Sequence, residues 1–225
     1  MHTLSFPRRR HHFPVARVAI ALLGLLVCGT LAFGDDIRDA VTNGNLDKVK
    51  ALLKDNPNLV FNRDEIGMTP LLWAAANGHQ DIVEFLIANH ADVNATNKFG
   101  DTTLRFAAAD GNAEVVAVLL TNNVVVDARD ANGSTILFAA LTAGKADVVK
   151  LLIDHGANVK VWNKYGQTPL HIAATTGNKA AAELLLAGGA NVNARDNAKQ
   201  TPLHIATLAG SKDLVELLRQ HGGQE

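Results

Sequence analysis

A five-residue phrase returns every 33 positions along this chain. It reads Thr69-Pro70-Leu71-Leu72-Trp73, then Thr102-Thr103-Leu104-Arg105-Phe106, then Thr135-Ile136-Leu137-Phe138-Ala139. It comes back as Thr168-Pro169-Leu170-His171-Ile172 and Thr201-Pro202-Leu203-His204-Ile205. A fixed period of this length marks a stacked array, in which each unit buries its apolar face only against its neighbours. The period therefore points to an all-α repeat solenoid and moves the functional question from catalysis toward binding.

Each unit is punctuated the same way. A turn tip comes first, as in Asp64-Glu65-Ile66-Gly67, Asn97-Lys98-Phe99-Gly100, Asp130-Ala131-Asn132-Gly133 and Asn163-Lys164-Tyr165-Gly166. Asp or Asn can bond its own backbone, and glycine accepts the positive φ of a tight turn. The last tip, Asp196-Asn197-Ala198-Lys199, lacks that glycine and is expected to be the most strained or the loosest. A threonine then caps a short helix. In three units a proline follows at the first helical position, where its missing N–H costs little. Glycines at 78, 111, 144, 177 and 210 stop that helix. A second helix carries an i, i+1, i+3, i+4 apolar stripe, as in Ile82-Val83-Phe85-Leu86 and Val148-Val149-Leu151-Leu152. Its version at Ala181-Ala182-Leu184-Leu185 is thinner. A second glycine position recurs at Gly156, Gly189 and Gly222, with His90 and Asn123 in its place elsewhere.

These residues resemble the ankyrin repeat. The family phrase G-x-T-P-L-H-x-A-A-x-x-G is met in full from Gly166 through Thr168, Pro169, Leu170 and His171 to Gly177. The resemblance covers nearly all of the chain beyond residue 34 and implies about six helix-turn-helix units, each with a hairpin tip. It places a degenerate N-terminal cap at 35–63, repeats near 64–96, 97–129, 130–162 and 163–195, and a C-terminal cap at 196–225. Asp35 is expected at the capping position of the degenerate unit. Polar residues such as Arg38, Asp47 and Lys48 at one end, and Lys212, Glu216 and Arg219 at the other, suit outer faces that no neighbour covers.

Residues 1–34 read as an address. A basic stretch with Arg8, Arg9, Arg10 and Arg17 precedes an apolar run over 18–33, which ends at Ala32-Phe33-Gly34 before Asp35. These are the parts of a secretory signal peptide, and cleavage is expected after Gly34. The rival is an uncleaved anchor, although about 16 apolar residues fall short of the ~20 that span comfortably. Lipidation at Cys28 is disfavoured by the bulky Val27, and a twin-arginine signal by its spacing. In either main reading the basic flank stays in the cytoplasm and the repeats are extracytoplasmic, periplasmic or secreted.

Four of the 21 basic residues lie in that segment, which leaves 17 against all 22 acidic ones beyond it, a net of −5 with His neutral. That balance gives no reason to expect a nucleic-acid partner. Cys28 is the one cysteine, so the repeats have no disulfide or thiolate metal site.

The chemistry-bearing residue types follow the repeat and lose their claim to catalysis. The family uses the histidine of its phrase, here His171 and His204, to hydrogen-bond neighbouring loops. His79, His90, His155 and His221 have no close zinc-type spacing. Asp81, Glu114, Asp147 and Asp213 recur at the start of second helices, where the dipole favours acids. No phosphate loop and no nucleophile set stands out, so neither enzyme activity, cofactor nor metal is expected.

Function is sought where the repeat leaves residues free. The resemblance implies that partners bind the tips and the inner face of the first helices. Before the tips stand Arg63, Thr96, Arg129, Trp162 and Arg195, and at the third tip position Ile66, Phe99, Asn132, Tyr165 and Ala198. Trp, Tyr and Arg dominate binding energy at interfaces, at about 2 kcal/mol for a good anchor. Trp162, Tyr165 and Lys164, with Arg129, Arg195, Phe99, Lys98 and Ile66, are the candidate contacts for a protein partner. The alternative is that Trp162 and Tyr165 pack on each other across one hairpin. Leu72, Arg105 and Phe138 replace the family histidine in three consecutive units.

The expected role is thus that of a monomeric, exported scaffold for protein–protein interaction. Alternatives are a membrane-tethered accessory of an envelope enzyme and a secreted, host-directed effector.

Overall fold

The computed structural model describes residues 32–130 and 132–225, with side chains from residue 36 onward. Twelve α-helices form six antiparallel pairs among these residues. They are α1 (Ala32–Thr42) with α2 (Leu46–Asp55), α3 (Pro70–Ala76) with α4 (Gln80–Ala88), and α5 (Thr103–Asp110) with α6 (Ala113–Leu120). Then come α7 (Ile136–Thr142) with α8 (Ala146–Asp154), α9 (Pro169–Thr176) with α10 (Lys179–Ala187), and α11 (Pro202–Leu208) with α12 (Lys212–Gln220). A 3-10 turn at Pro57–Phe61 follows α2.

The array has two layers. Odd-numbered helices pack in sequence from α1 to α11, and even-numbered helices from α2 to α12. The core lies between the layers and runs the length of the stack. Its even-helix side is the repeating stripe: Ile82, Val83 and Leu86, then Val115, Val116 and Leu119, then Val148, Val149 and Leu152, all buried. Full burial of each such side chain contributes roughly 1.5–3 kcal/mol. Ala74, Ala75, Ala107, Ala108, Ala173 and Ala174 are completely buried. Their small size lets successive odd helices approach closely.

Thr69, Thr102 and Thr201 cap their helices by accepting from the N–H three residues on, each at 3.2 Å. Thr135 departs from this expectation. Its amide partner Phe138 N–H bonds to the Thr135 carbonyl instead, at 3.0 Å. The Thr135 hydroxyl is left buried with no hydrogen-bond partner. Thr168 makes the same backbone bond with His171, but there the histidine Nδ1 accepts from the Thr168 N–H at 3.0 Å and sits 2.8 Å from its hydroxyl. Phe138 has no such acceptor, which is why the Thr135 hydroxyl is orphaned.

The unglycinated tip is strained as expected, with Lys199 at φ 65°. His90 (φ 68°) and Asn123 (φ 56°) also occupy the left-handed region.

At the N-terminus the structure corrects one expectation. α1 begins at Ala32 and continues through Asp35, so Asp35 lies inside the helix and not at its cap. The interruption available there is Gly34, which costs about 1 kcal/mol in a helix. Burial of Ile37, Ala40 and Val41 on the same helix outweighs it. The basic flank and most of the apolar run expected to act as an export signal lie outside the described residues. Among the described residues, no helix is long and apolar enough to cross a membrane.

Candidate protein-binding surface

The hairpin tips are built from their first residue. In all five, an Asp or Asn Oδ1 accepts two backbone N–H groups, from the residues two and four positions on, at 2.7–3.1 Å. The second side-chain atom reaches a different partner from tip to tip. Asp64 Oδ2 accepts from Trp73 Nε1 at 3.0 Å, and Asp130 Oδ2 faces Arg105 at 3.1 Å. At two tips the residue is Asn: Asn97 Nδ2 donates to Asp101 Oδ2, and Asn163 Nδ2 to Gln167 Oε1, both at 3.2 Å.

Tips are then tied to one another. Lys98 N–H donates to the Ile66 carbonyl at 2.9 Å, Lys164 N–H to Asn132 at 2.8 Å, and Asn197 N–H to Tyr165 at 3.0 Å. The arginine before a tip adds a clamp. Arg63 Nη1 donates to the carbonyls of Gly67 (3.0 Å) and Thr96 (2.7 Å). Arg129 Nη1 does the same to Gly133 (2.9 Å) and Trp162 (3.1 Å). Arg195 bonds Lys199 at 2.9 Å and the Glu225 carbonyl at 3.5 Å. These arginines are cross-braces as well as surface charges, a role their spacing in the sequence did not reveal.

On this braced backbone the candidate side chains stand outward. Phe99 is 74% exposed, Trp162 64%, Tyr165 55% and Ile66 42%. Trp162, Lys164, Tyr165 and Arg129 form one group. Arg129 holds the Trp162 carbonyl, and the Lys164 ammonium lies 5.1 Å from the centre of the Tyr165 ring and bonds Asn132 Oδ1. Both rings keep more than half their surface in solvent, so mutual packing does not consume them. Arg195 is directed to its own tip and toward Glu225, away from this group. Ile66, Lys98 and Phe99 lie in the two preceding tips and form a second group.

His171 is completely buried, and its Nε2 lies 3.1 Å from the Gln200 carbonyl in the next tip. Burial pushes its pKa below the ordinary histidine value, against the opposing pull of the Gln200 carbonyl and Asp196. The ring is thus a neutral crosslink between units, with Nδ1 accepting and Nε2 donating. Arg105, in the equivalent position, crosslinks by charge, holding Asp101 (Nε, 3.0 Å) and Asp130 (Nη2, 3.1 Å). No group of three His, Cys, Asp or Glu residues among those described has metal-binding geometry.

The sequence reading missed Leu208, which is 70% exposed at the end of α11. Its signal was a leucine where the other units have Ala76, Ala109, Thr142 and Thr175.

Comparison with known proteins places this architecture. A family model described as ankyrin repeats, three copies, matches at residues 37–97, 86–163, 104–196 and 158–225. Protein phosphatase 1 regulatory subunit 27 of Homo sapiens is 45% identical over 61 residues, 27% of this chain and 39% of that protein. DNA-binding protein RFXANK of Homo sapiens is 43% identical over 56 residues, covering 25% and 22%. E3 ubiquitin-protein ligase XBAT32 of Arabidopsis thaliana is 36% identical over 70 residues, covering 31% and 14%. The chain matches less than half the length of each of these relatives.

Proposed function

Because the chain belongs to the ankyrin-repeat family, we propose that it is an exported scaffold that holds a protein partner against its hairpin tips and the inner face of its odd-numbered helices. The matched relatives carry unlike names, a phosphatase regulatory subunit, a ubiquitin ligase and a DNA-binding protein. What they share with this chain is the repeat and no single chemistry, which supports recognition as its role.

The observation that carries the proposal is the exposure of Trp162 and Tyr165 on a backbone pinned by Arg129 and by the neighbouring tips. A preorganised surface loses little conformational freedom on association, and large aromatic anchors supply most of the affinity. A Trp162→Ala/Tyr165→Ala chain should keep the wild-type thermal melt and capture its partner at least tenfold more weakly. Undiminished capture by the folded variant would overturn the site assignment.

Export rests on the basic and apolar pattern of residues 1–34. Sequencing the N-terminus of the protein recovered from its native cells tests it: a start at Asp35 means a released periplasmic or secreted protein. A tethered accessory is the second reading, favoured by the continuity of α1 across Gly34. It requires an intact N-terminus in the membrane fraction.

A further inference from the structure

The tip row differs in charge from the rest of the chain. Arg63, Lys98, Arg129, Lys164, Arg195 and Lys199 are all solvent-exposed, against the single exposed acid Glu65. The acids at the first tip positions, Asp64, Asp130 and Asp196, are half-buried or buried, with Oδ1 turned into the backbone. An outwardly cationic strip therefore lies on a chain whose residues beyond 34 carry a net charge of −5.

The apolar side chains on that strip are divided. Ile66 and Phe99 stand on adjacent tips, Trp162 and Tyr165 two units further on, and polar Asn132 between them. The half-buried row seven residues beyond repeats the division, with Trp73 and Phe106, then Ala139, then Ile172. Two rows thus lose their bulk at the same middle unit.

We infer that the partner presents an extended, acidic protein segment with two apolar anchors about six residues apart. This deepens the reading above and rests on the tips being the binding face. Packed helices lie 8–10 Å apart, so Phe99 and Tyr165, two units apart, are separated by about 20 Å. An extended segment rises about 3.3 Å per residue and covers that span in about six residues. A helix, at 1.5 Å per residue, would need about 13. Exposed lysines and arginines flanking both apolar groups favour carboxylates on the segment between and around the anchors.

Panning a phage-displayed library of random 16-residue peptides against the full chain tests this, with a folded Trp162→Ala/Tyr165→Ala chain panned in parallel. The expected winners are rich in Asp and Glu and carry two apolar residues five to seven positions apart. Their synthetic versions should bind at least tenfold more weakly to Lys98→Glu/Lys164→Glu, and more weakly as salt rises. Winners that need Trp162 and Tyr165 yet are neutral or basic, have one anchor, or space two anchors by about 13 overturn this inference and leave the tip surface standing. Equal enrichment on both chains, or none on either, overturns both. A single-stranded oligonucleotide that displaces the peptides and binds more tightly overturns the assignment to a protein segment.

Discussion

Arg105 Nη2 lies 3.1 Å from Asp130 Oδ2, which joins the helix of one unit to the tip of the next. The pair is part-buried, with side chains 30% and 19% exposed. Asp130 Oδ1 meanwhile accepts the Asn132 and Ser134 N–H groups. Arg105→Ala leaves a shielded carboxylate without its partner and should cost about 2 kcal/mol, reduced from the fully buried case by water screening. Asp130→Asn keeps the Oδ1 turn bonds but turns its Nδ2 donor toward the Arg105 guanidinium in place of the ion pair, and should cost about 1–2 kcal/mol. The double variant should cost less than the sum, because neither charge is then orphaned. Urea unfolding of the three chains measures this.

The Thr135 hydroxyl is orphaned because Phe138 stands where the next unit has His171, three residues after the capping threonine. Thr135→Val should therefore be neutral or stabilise by up to about 1 kcal/mol. In a Phe138→His background the ring Nδ1 gives the hydroxyl a partner, so the same Thr135→Val change should become destabilising. A double-mutant cycle in urea should return a coupling near 1 kcal/mol. Zero coupling would refute this account of the buried hydroxyl.

The fold was legible because each unit packs only on its neighbours, so one correct register determines every helix pair. The threonine caps, the turn glycines and the apolar stripes are local devices, and local devices repeat with the sequence. Exposure of Trp162 and Tyr165 was legible for the opposite reason: they occupy positions that the repeat does not restrict. The braces were not legible. Arg129 reads as a surface charge, yet it bonds a carbonyl 33 residues away, a relation that exists only once units are stacked. The partners of the outer tip atoms were also opaque, Trp73 for Asp64 and Arg105 for Asp130, since only the fold brings those helices to the tips. Asp35 misled because a helix that continues upstream needs no cap there.

His171 makes stability depend on pH. Its folded pKa is lowered by burial, so the unfolded state binds a proton more readily. Its contribution is complete above the ordinary histidine value of about 6.5 and is lost as pH falls below that toward the depressed folded value. Urea unfolding between pH 8 and 5 should show stability falling over the acid half of the range. His171→Gln, which can accept from the Thr168 N–H and donate to the Gln200 carbonyl without titrating, should flatten that fall. An unchanged slope would assign the acid sensitivity to other groups.

Among the described residues, three other than glycine hold left-handed backbone at turns, and their chemistry ranks the strain. Lys199 (φ 65°) and His90 (φ 68°) are exposed, so replacing them with glycine removes backbone strain and little packing. A side chain in this region costs of order 1–3 kcal/mol, and the extra freedom of glycine in the unfolded chain returns about 0.4–1. Lys199→Gly and His90→Gly should each stabilise by about 1 kcal/mol. Asn123→Gly (φ 56°) should change stability by no more than a few tenths, because asparagine tolerates this region. Lys199→Gly also removes a cation from the tip row, so weaker peptide binding by a more stable chain would separate the residue's two roles. Equal gains at all three sites would mean that the side chain does not set the strain.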